Sequence, residues 1–114
     1  MTDYLMNAWY QAGFTEEVPA GGKLGRIICE IPLVFFRRPG GQLTALVDRC
    51  AHRFAPLSAG RVDGGAIFCG YHGLGFGAEG TCVHNPHGPI VSALRLRSFP
   101  VVERHAIIWV WLYR

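Results

Sequence analysis

Long apolar segments are missing from this 114-residue sequence. The longest apolar run near either end, AIIWVWLY at residues 106–113, is far shorter than the roughly 20 residues that a helix needs to cross a bilayer. The first residues also lack the basic-then-apolar pattern of a secretory signal peptide. These absences argue against a membrane or exported protein, and we predict a soluble protein of the cytoplasm.

Charge is sparse as well. Only 17% of the residues are charged, and the formal net charge is +3. The 11 lysines and arginines are spread along the chain and do not form the basic stripe that is typical of a nucleic-acid-binding protein. We therefore expect no nucleic-acid partner.

Helical patterns are scarce, and short β-prone runs separated by glycine and proline take their place. The chain contains 15 glycines and 7 prolines, which suits a turn-rich fold. Its length is that of one domain, so we predict a single all-β domain over residues 1–114, built from small antiparallel sheets. The runs that predict strands are RIICEI (26–31), LVFFRR (33–38), LTALVDR (43–49), AIFC (66–69), FPVVERH (99–105) and AIIWVWLYR (106–114).

Turn residues and tryptophans add detail to this prediction. The segments RPGGQ at 38–42 and DGGA at 63–66 each predict a hairpin between neighbouring strands. Ahead of them, the segment 4–19 can begin with a helical turn that must end by Pro19. The alternation in IIWVW predicts a late strand that is at least partly covered on both faces.

The four cysteines carry the strongest signal for function. In a secreted chain they would suggest two disulfides, but no signal peptide is seen and two of them stand beside histidines. We interpret Cys29 and Cys82 as buried structural thiols, because neither shares a tight turn with a histidine at ligand spacing. Cys50 and Cys69 differ, since the sequence reads Cys-x-His at 50 and 52, then sixteen residues, then Cys-x-x-His at 69 and 72.

Two chemistries use two cysteines and two histidines. They can hold zinc in a tetrahedral structural site, or a two-iron, two-sulfide cluster with the cysteines on one iron and the histidines on the other. The single residue between Cys50 and His52 is tight for one metal, because zinc sites favour about two to four residues there. In a cluster the irons are separate, so each loop can send its cysteine to one iron and its histidine to the other. The spacing favours the cluster and leaves a structural zinc module as an alternative.

The residues around these four positions resemble a known family. The stretches CAHRFAPLSAGRV (50–62) and CGYHGLGFGAEGTCVHNP (69–86) are similar to the two cluster loops of Rieske [2Fe–2S] domains. The form they resemble stands at the N-terminus of the oxygenase component of aromatic-ring hydroxylating and O-demethylating enzymes, in particular the vanillate O-demethylase group. Pro56, Leu57 and Gly73 occupy their usual places, and MNAWYQAGFTEEV (6–18) extends the likeness to the start of the chain.

The resemblance implies a Rieske (ISP-like) fold whose small antiparallel sheets carry the two loops at one tip. It implies a Rieske-type [2Fe–2S] cluster, with Cys50 and Cys69 on one iron and His52 and His72 on the other. It also implies one-electron transfer from a reductase or ferredoxin to a mononuclear non-haem iron. The family holds that iron in a second, larger domain, where oxygen and the aromatic substrate meet.

The sequence matches only the Rieske part of that family, so we assign no catalytic residue. We expect an electron carrier that oxygenates nothing by itself, with the mononuclear Fe(II) and the aromatic substrate confined to the domain it lacks. The resemblance also implies that the intact parent protein forms a homotrimer. A stand-alone Rieske-type ferredoxin is an alternative, although the NAWYQAGFTEEV start resembles the oxygenase.

Three non-ligand positions predict the reduction potential of the cluster. Neutral imidazoles in place of two thiolates raise the potential, because an added electron meets less negative charge. The respiratory type of Rieske protein raises it further with a disulfide between the loops and a serine near the second histidine. Here Ala55, Tyr71 and Leu74 hold those places. We predict a potential in the lower half of the Rieske range of about −150 to +300 mV, and a potentiometric value well above zero would contradict this.

Other histidines are weaker candidates for metal binding. His84 and His87 in VHNPHGP lack a third ligand, so we expect a loop packed under the cluster rather than a second metal site. His105 is expected to be an ordinary surface or core histidine.

Residues beside the ligands suggest secondary roles. Arg49, Arg53 and Arg61 either form a basic rim that attracts an acidic electron-donor protein or are ordinary solvated charges. Phe54 and Tyr71 are expected to shield the cluster from water.

Overall fold

The computed structural model describes residues 4–49, 56–70, 73–86, 88–90 and 94–113. Within these ranges the chain is mostly strand, with two short 3₁₀ turns at Thr15–Glu17 and Leu57–Ala59. The strands are β1 (Ala8–Phe14), β2 (Lys23–Ile28), β3 (Ile31–Arg37), β4 (Leu43–Val47), β5 (Arg61–Asp63), β6 (Ala66–Phe68), β7 (Gly75–Phe76), β8 (Cys82–His84), β9 (Ser98–Phe99), β10 (Val101–Arg104) and β11 (Ile107–Leu112).

These described strands form three small antiparallel sheets, which confirms the predicted fold class. The terminal sheet has the order β1-β11-β10, the middle sheet β2-β3-β4-β9, and the loop sheet β5-β6-β7-β8. The first two strands of the loop sheet lie between His52 and Cys69 in sequence, and β6 leads directly to Cys69.

Two apolar cores lie on opposite faces of the middle sheet. Four consecutive residues of β3, from Leu33 to Phe36, are fully buried, because alternate side chains of a strand point to opposite faces. Leu33 and Phe35 pack with the terminal sheet, whereas Val34 and Phe36 pack with the loop sheet. A continuous apolar run is typical of a strand that is covered on both sides.

The N-terminal segment differs from the prediction. It forms strand β1 instead of a helical turn, and only Thr15–Glu17 winds into a 3₁₀ turn. The pairing of β1 with β11, which sets Trp9 opposite Trp111, is a long-range contact that local propensity cannot reveal. The start of β2 at Lys23, ahead of the predicted 26, has the same cause, since Lys23 pairs with Phe36.

The predicted strand over 26–31 is also wrong in detail. Cys29 and Glu30 both have positive φ, of 52° and 64°, and form the turn between β2 and β3 with Ile28 opposite Ile31. Neither residue is a usual choice for such a turn.

Other predictions about turns and tryptophans are confirmed. The glycine-containing segment 38–42 joins β3 to β4, with Arg38 N donating to the Gln42 carbonyl at 2.8 Å. The segment 63–66 joins β5 to β6. Strand β11 alternates between buried and half-buried residues, as the IIWVW pattern predicts.

An ion pair joins the middle sheet to the terminal sheet. The Arg37 guanidinium contacts both carboxylate oxygens of Glu103, at 2.8 and 3.0 Å. The same guanidinium donates from Nε to the Val18 carbonyl at 2.6 Å. The Arg37 side chain is only 11% exposed, so this pair is shielded more than a surface pair.

Candidate metal centre

Cys69 is the one predicted ligand that the structure describes. It follows β6 and is only 2% exposed, within the core beneath the loop sheet. Its thiol is free. The other three predicted ligands, Cys50, His52 and His72, lie outside the described residues.

The base of the second Cys/His loop is closed by two backbone hydrogen bonds. The backbone N–H of Cys69 donates to the Leu74 carbonyl at 2.7 Å, and the N–H of Gly73 donates to the Cys69 carbonyl at 3.0 Å. Gly73 has a φ of +75°, a conformation that favours glycine. These two bonds bring together the residues on either side of the segment that contains His72.

The first Cys/His loop is held at both of its ends. Asp48, directly after β4, accepts hydrogen bonds at its carboxylate from the backbone N–H and the hydroxyl of Ser58. Beside Ser58, Leu57 is completely buried in the core beneath the loop sheet. Both ends of the segment that contains Cys50 and His52 are therefore anchored.

The bases of the two loops lie side by side. A Cβ built at Gly60 would overlap the Phe68 carbonyl oxygen, and one built at Gly70 would lie 3.4 Å from the Ala59 carbonyl oxygen. At position 60 only glycine allows the backbone after the first loop to approach the backbone before the second this closely, whereas the distance at Gly70 is an ordinary contact. The family resemblance implied that the two loops lie together at one tip, and the structure shows where their bases meet.

Cys69, the described member of the predicted donor set, is compatible with a two-iron, two-sulfide cluster. A buried free thiol at the base of a loop is a suitable soft ligand for iron, and two such thiols with two imidazoles are the ligands of a Rieske centre. Leu57 and Leu74, 0% and 2% exposed, place an apolar layer beneath the loop bases. An apolar layer of this kind limits the access of water to a metal site.

The non-ligand cysteines separate into two environments. Cys82 is 3% exposed, as predicted, and its thiol contacts the His84 carbonyl at 3.4 Å. Cys29 is only half-buried in its hairpin turn, so the prediction of a buried thiol is wrong there. A hydrogen bond with Cys29 is the main reason why the pKa of Tyr10 is raised, and burial adds to it.

The candidate residues around the loops have varied surroundings. His84 is exposed, with its ring edge-on to Phe68 at 5.7 Å between centroids. The Arg61 guanidinium lies over the Phe68 ring, 4.4 Å from its centroid, and reaches the Asp63 carboxylate at 3.4 Å. His105 is exposed in the turn between β10 and β11, as expected for a surface histidine.

Several further candidates lie outside the described residues: Arg53, Phe54, Ala55, Tyr71 and His87. Within the described part of the chain, no three His, Cys, Asp or Glu side chains come together as a metal site. The described residues also contain no helix that is long and apolar enough to cross a membrane.

Sequence reasoning missed three residues of this region. Asp48 and Ser58 flank the segment that contains Cys50 and His52, but single aspartates and serines near loops are too common to single out. Gly60 directly follows a short turn and precedes a strand, which is a weak signal for a close backbone approach. Each of these roles depends on contacts between segments that are separate in sequence.

Comparison with protein-family models matches residues 8–100 to the Rieske [2Fe–2S] domain. The chain therefore belongs to the Rieske [2Fe–2S] domain family, whose cofactor is the two-iron, two-sulfide cluster that carries single electrons.

Within that family the chain is similar to oxygenase components. It is 51% identical over 110 residues to the dicamba O-demethylase oxygenase component of Stenotrophomonas maltophilia, an alignment that covers 95% of this chain and 32% of that protein. It is 45% identical over 105 residues to the vanillate O-demethylase oxygenase subunit of Pseudomonas sp. (strain HR199 / DSM 7063), covering 92% of this chain and 29% of that protein.

Solved structures agree with the sequence comparison. A crystal structure of dicamba monooxygenase with non-haem iron and dicamba matches with a TM-score of 0.92 at 50% identity, covering 97% of this chain and 34% of that one. The chain is thus a Rieske domain of the oxygenase-component type, and it spans about a third of the length of the relatives it matches.

Proposed function

We propose that this chain is a single electron-carrying domain in which Cys50 and Cys69 bind one iron and His52 and His72 the other. The observation that carries the proposal is the pair of Cys/His stretches at Rieske spacing in a chain of the Rieske family. The burial of Cys69 and the contact between the loop bases support it. When bound, a Rieske cluster accepts and releases one electron at a time.

The protein's own residues would hold the ligands and limit the access of water. The backbone bonds of Cys69 with Gly73 and Leu74 hold the base of the second loop, and the Asp48 carboxylate holds that of the first. Leu57 and Leu74 seal the core side of both loop bases.

The relatives support a proposal for the partners of the intact protein. Relatives are oxygenase components of O-demethylases, so the electron donor is a reductase or ferredoxin. The acceptor is a mononuclear non-haem iron in a second domain of a protein about three times as long as this chain. By the family resemblance, we propose an aromatic substrate for that protein and a homotrimer of its subunits. The alternative, a stand-alone Rieske-type ferredoxin, has no support among these relatives, and the coding sequence around this chain would test it.

The ligand assignment is tested with two cysteine variants. Cys69→Ser removes a proposed iron ligand, so we expect loss or reshaping of the visible spectrum and of the EPR signal of the dithionite-reduced chain. Cys82→Ser is the matched control, because Cys82 is equally buried but is not a proposed ligand. We expect it to keep a Rieske-type spectrum.

Two results would contradict this assignment. A native spectrum in Cys69→Ser would exclude Cys69 as a ligand. A colourless chain that binds zinc stoichiometrically after purification and reconstitution with iron and sulfide would favour the structural zinc module.

A further inference from the structure

Two hydrogen bonds join Asp48 to Ser58, on either side of the segment that contains Cys50 and His52. We call this pair of residues the clamp. The Asp48 Oδ1 accepts from the Ser58 backbone N–H at 2.7 Å, and its Oδ2 accepts from the Ser58 hydroxyl at 2.5 Å. The two residues stand ten positions apart in sequence. Hydrogen bonds to a carboxylate are shorter and stronger than those between neutral groups.

Both ends of the clamp rest on ordered parts of the fold. The backbone N–H of Asp48 donates to the Pro32 carbonyl in β3 at 2.8 Å. On the other side, Ser58 lies within the 3₁₀ turn Leu57–Ala59, whose first residue is fully buried. The clamp therefore ties the end of β4 to a turn that is itself fixed in the core.

Strand β2 lies against the clamp at Gly25. A Cβ built at Gly25 would lie 3.1 Å from the Ser58 Cβ and 3.6 Å from the Asp48 Oδ2. Asp48 and Ser58 are both half-buried. The two hydrogen bonds are therefore partly buried, and partial burial strengthens such bonds.

The two loops are closed by different means. The second is closed by backbone hydrogen bonds between residues four and five positions apart, which most substitutions leave in place. The first is a longer loop, and a longer loop costs more entropy to close. Its closure depends on two side chains, which substitution can remove.

We infer that Asp48 and Ser58 are positioning residues for the cluster, since they fix the stretch that contains Cys50 and His52 relative to the second loop. The inference rests on the proposed function, because it takes those two residues as ligands. Neither Asp48 nor Ser58 contacts iron in this scheme. Their role is to reduce the number of conformations open to the ligands that do.

The test removes the contacts in steps. Ser58→Ala removes the hydroxyl bond and keeps the backbone bond, whereas Asp48→Ala removes both. Each reconstituted chain is mixed with an excess of chelator, and the loss of visible absorbance is followed over time. We expect bleaching about ten-fold faster in Ser58→Ala, because a hydrogen bond to a charged group changes an equilibrium by that order, and faster again in Asp48→Ala.

EPR spectra and reduction potentials separate positioning from general stability. We expect broader EPR lines of the reduced cluster in both variants and a shifted potential, while far-UV circular dichroism stays unchanged. Asp48→Asn keeps an acceptor and a donor in place without the charge, so its bleaching rate should fall between those of the parent chain and Asp48→Ala.

Ser98→Ala is the matched serine control. Ser98 is also half-buried, but it lies in β9 of the middle sheet, and its backbone carbonyl accepts the hydrogen bond from the Tyr113 hydroxyl at 2.9 Å. The alanine variant keeps that carbonyl. We expect its bleaching rate and EPR spectrum to equal those of the parent chain.

Three outcomes would overturn the inference. Parental bleaching rates and EPR lines in Ser58→Ala and Asp48→Ala would show that the clamp does not position the ligands. Equal acceleration in Ser98→Ala would assign the effect to general stability. A parent chain without a Rieske-type EPR signal would overturn the proposed function and the inference together, whereas the first two outcomes leave the proposed function intact.

Discussion

Arg37 and Glu103 join two sheets through their side chains. They stand 66 positions apart in sequence, and the bidentate geometry makes their contact directional as well as charged. The hydrogen bond from Arg37 lowers the pKa of Glu103 below its ordinary value of 4.5, with partial burial opposing this shift and Thr15 assisting it. The same pairing raises the pKa of Arg37.

The stability that this pair contributes should depend on pH. Because the pKa of Glu103 is lower in the folded chain, the contribution is complete above about pH 4.5 and is lost as the pH falls through the lowered value. We expect Glu103→Gln to reduce the free energy of unfolding by about 1 to 3 kcal/mol at neutral pH. The difference from the parent chain should shrink in urea titrations repeated at progressively lower pH.

A neighbouring carboxylate provides the comparison for this prediction. Glu16 is exposed in the first 3₁₀ turn, and Glu16→Gln should change stability little at any pH. If Glu103→Gln lost the same stability at low pH as at neutral pH, the ion pair would not be the cause.

The residues of the candidate site differ in how well the sequence alone predicts their roles. Cysteine and histidine are rare and chemically specific, so their spacing predicts the metal-binding stretches directly. Asp48, Ser58 and Gly60 are common residue types, and their roles arise from contacts across the fold. The chemistry of the site was therefore predictable, whereas the residues that hold its loops were not.

Two hairpins use residues that are unusual for their turns. Cys29 and Glu30 connect β2 to β3, and His105 and Ala106 connect β10 to β11, all with φ between 52° and 65°. Such positive φ values favour glycine or asparagine. A side chain in this region costs about 1 to 2 kcal/mol, so the strand pairing on either side must outweigh that cost.

Ala106 is the clearest position at which to test this cost. Ala106→Gly relieves the strain at a φ of 65°, partly offset by the greater entropy of glycine in the unfolded chain. We expect the free energy of unfolding to rise by about 0.5 to 1 kcal/mol, measured by urea titration. Ala8→Gly, within strand β1, should lower it by about the same amount. A decrease in both variants would mean that the turn carries no strain.

The turn between β2 and β3 could not be predicted from the sequence. The run RIICEI was predicted as one strand because its isoleucines favour a strand and none of its residues signals a turn. Pairing of Ile28 with Ile31 imposes the turn. Conversely, the glycine-containing turns at 38–42 and 63–66 were predicted correctly because glycine permits the required backbone conformation by itself.

The whole molecule is stabilised mainly by its two cores. The middle sheet buries side chains on both faces, and of the buried residues that the structure describes, only Cys69 is a proposed ligand. In contrast to a zinc finger, which needs its metal to fold, this domain should fold without its cluster. The fold class was predictable from the run of short strands, whereas the three-sheet arrangement depends on pairings such as that of β1 with β11.

Removal of the cluster tests this expectation. Acid and chelator treatment should leave a colourless chain with the far-UV circular dichroism of the parent and a single cooperative urea transition. Its midpoint should be lower, because bound cofactor stabilises the folded state by mass action. A random-coil spectrum after removal would show that the two cores are insufficient.

The three tryptophans lie away from the proposed cluster site, so tryptophan fluorescence and cluster absorbance would report on different parts of the molecule. Trp9, Trp109 and Trp111 all lie in the terminal sheet, where the rings of Trp9 and Trp111 meet edge-on at 5.3 Å. The proposed ligand Cys69 lies on the loop-sheet side, across the middle sheet. Fluorescence would therefore follow one side of the fold while visible absorbance follows the other. An iron–sulfur cluster absorbs light at the wavelengths at which tryptophan emits. The extent to which the cluster quenches tryptophan fluorescence would therefore report the distance between the terminal sheet and the cluster.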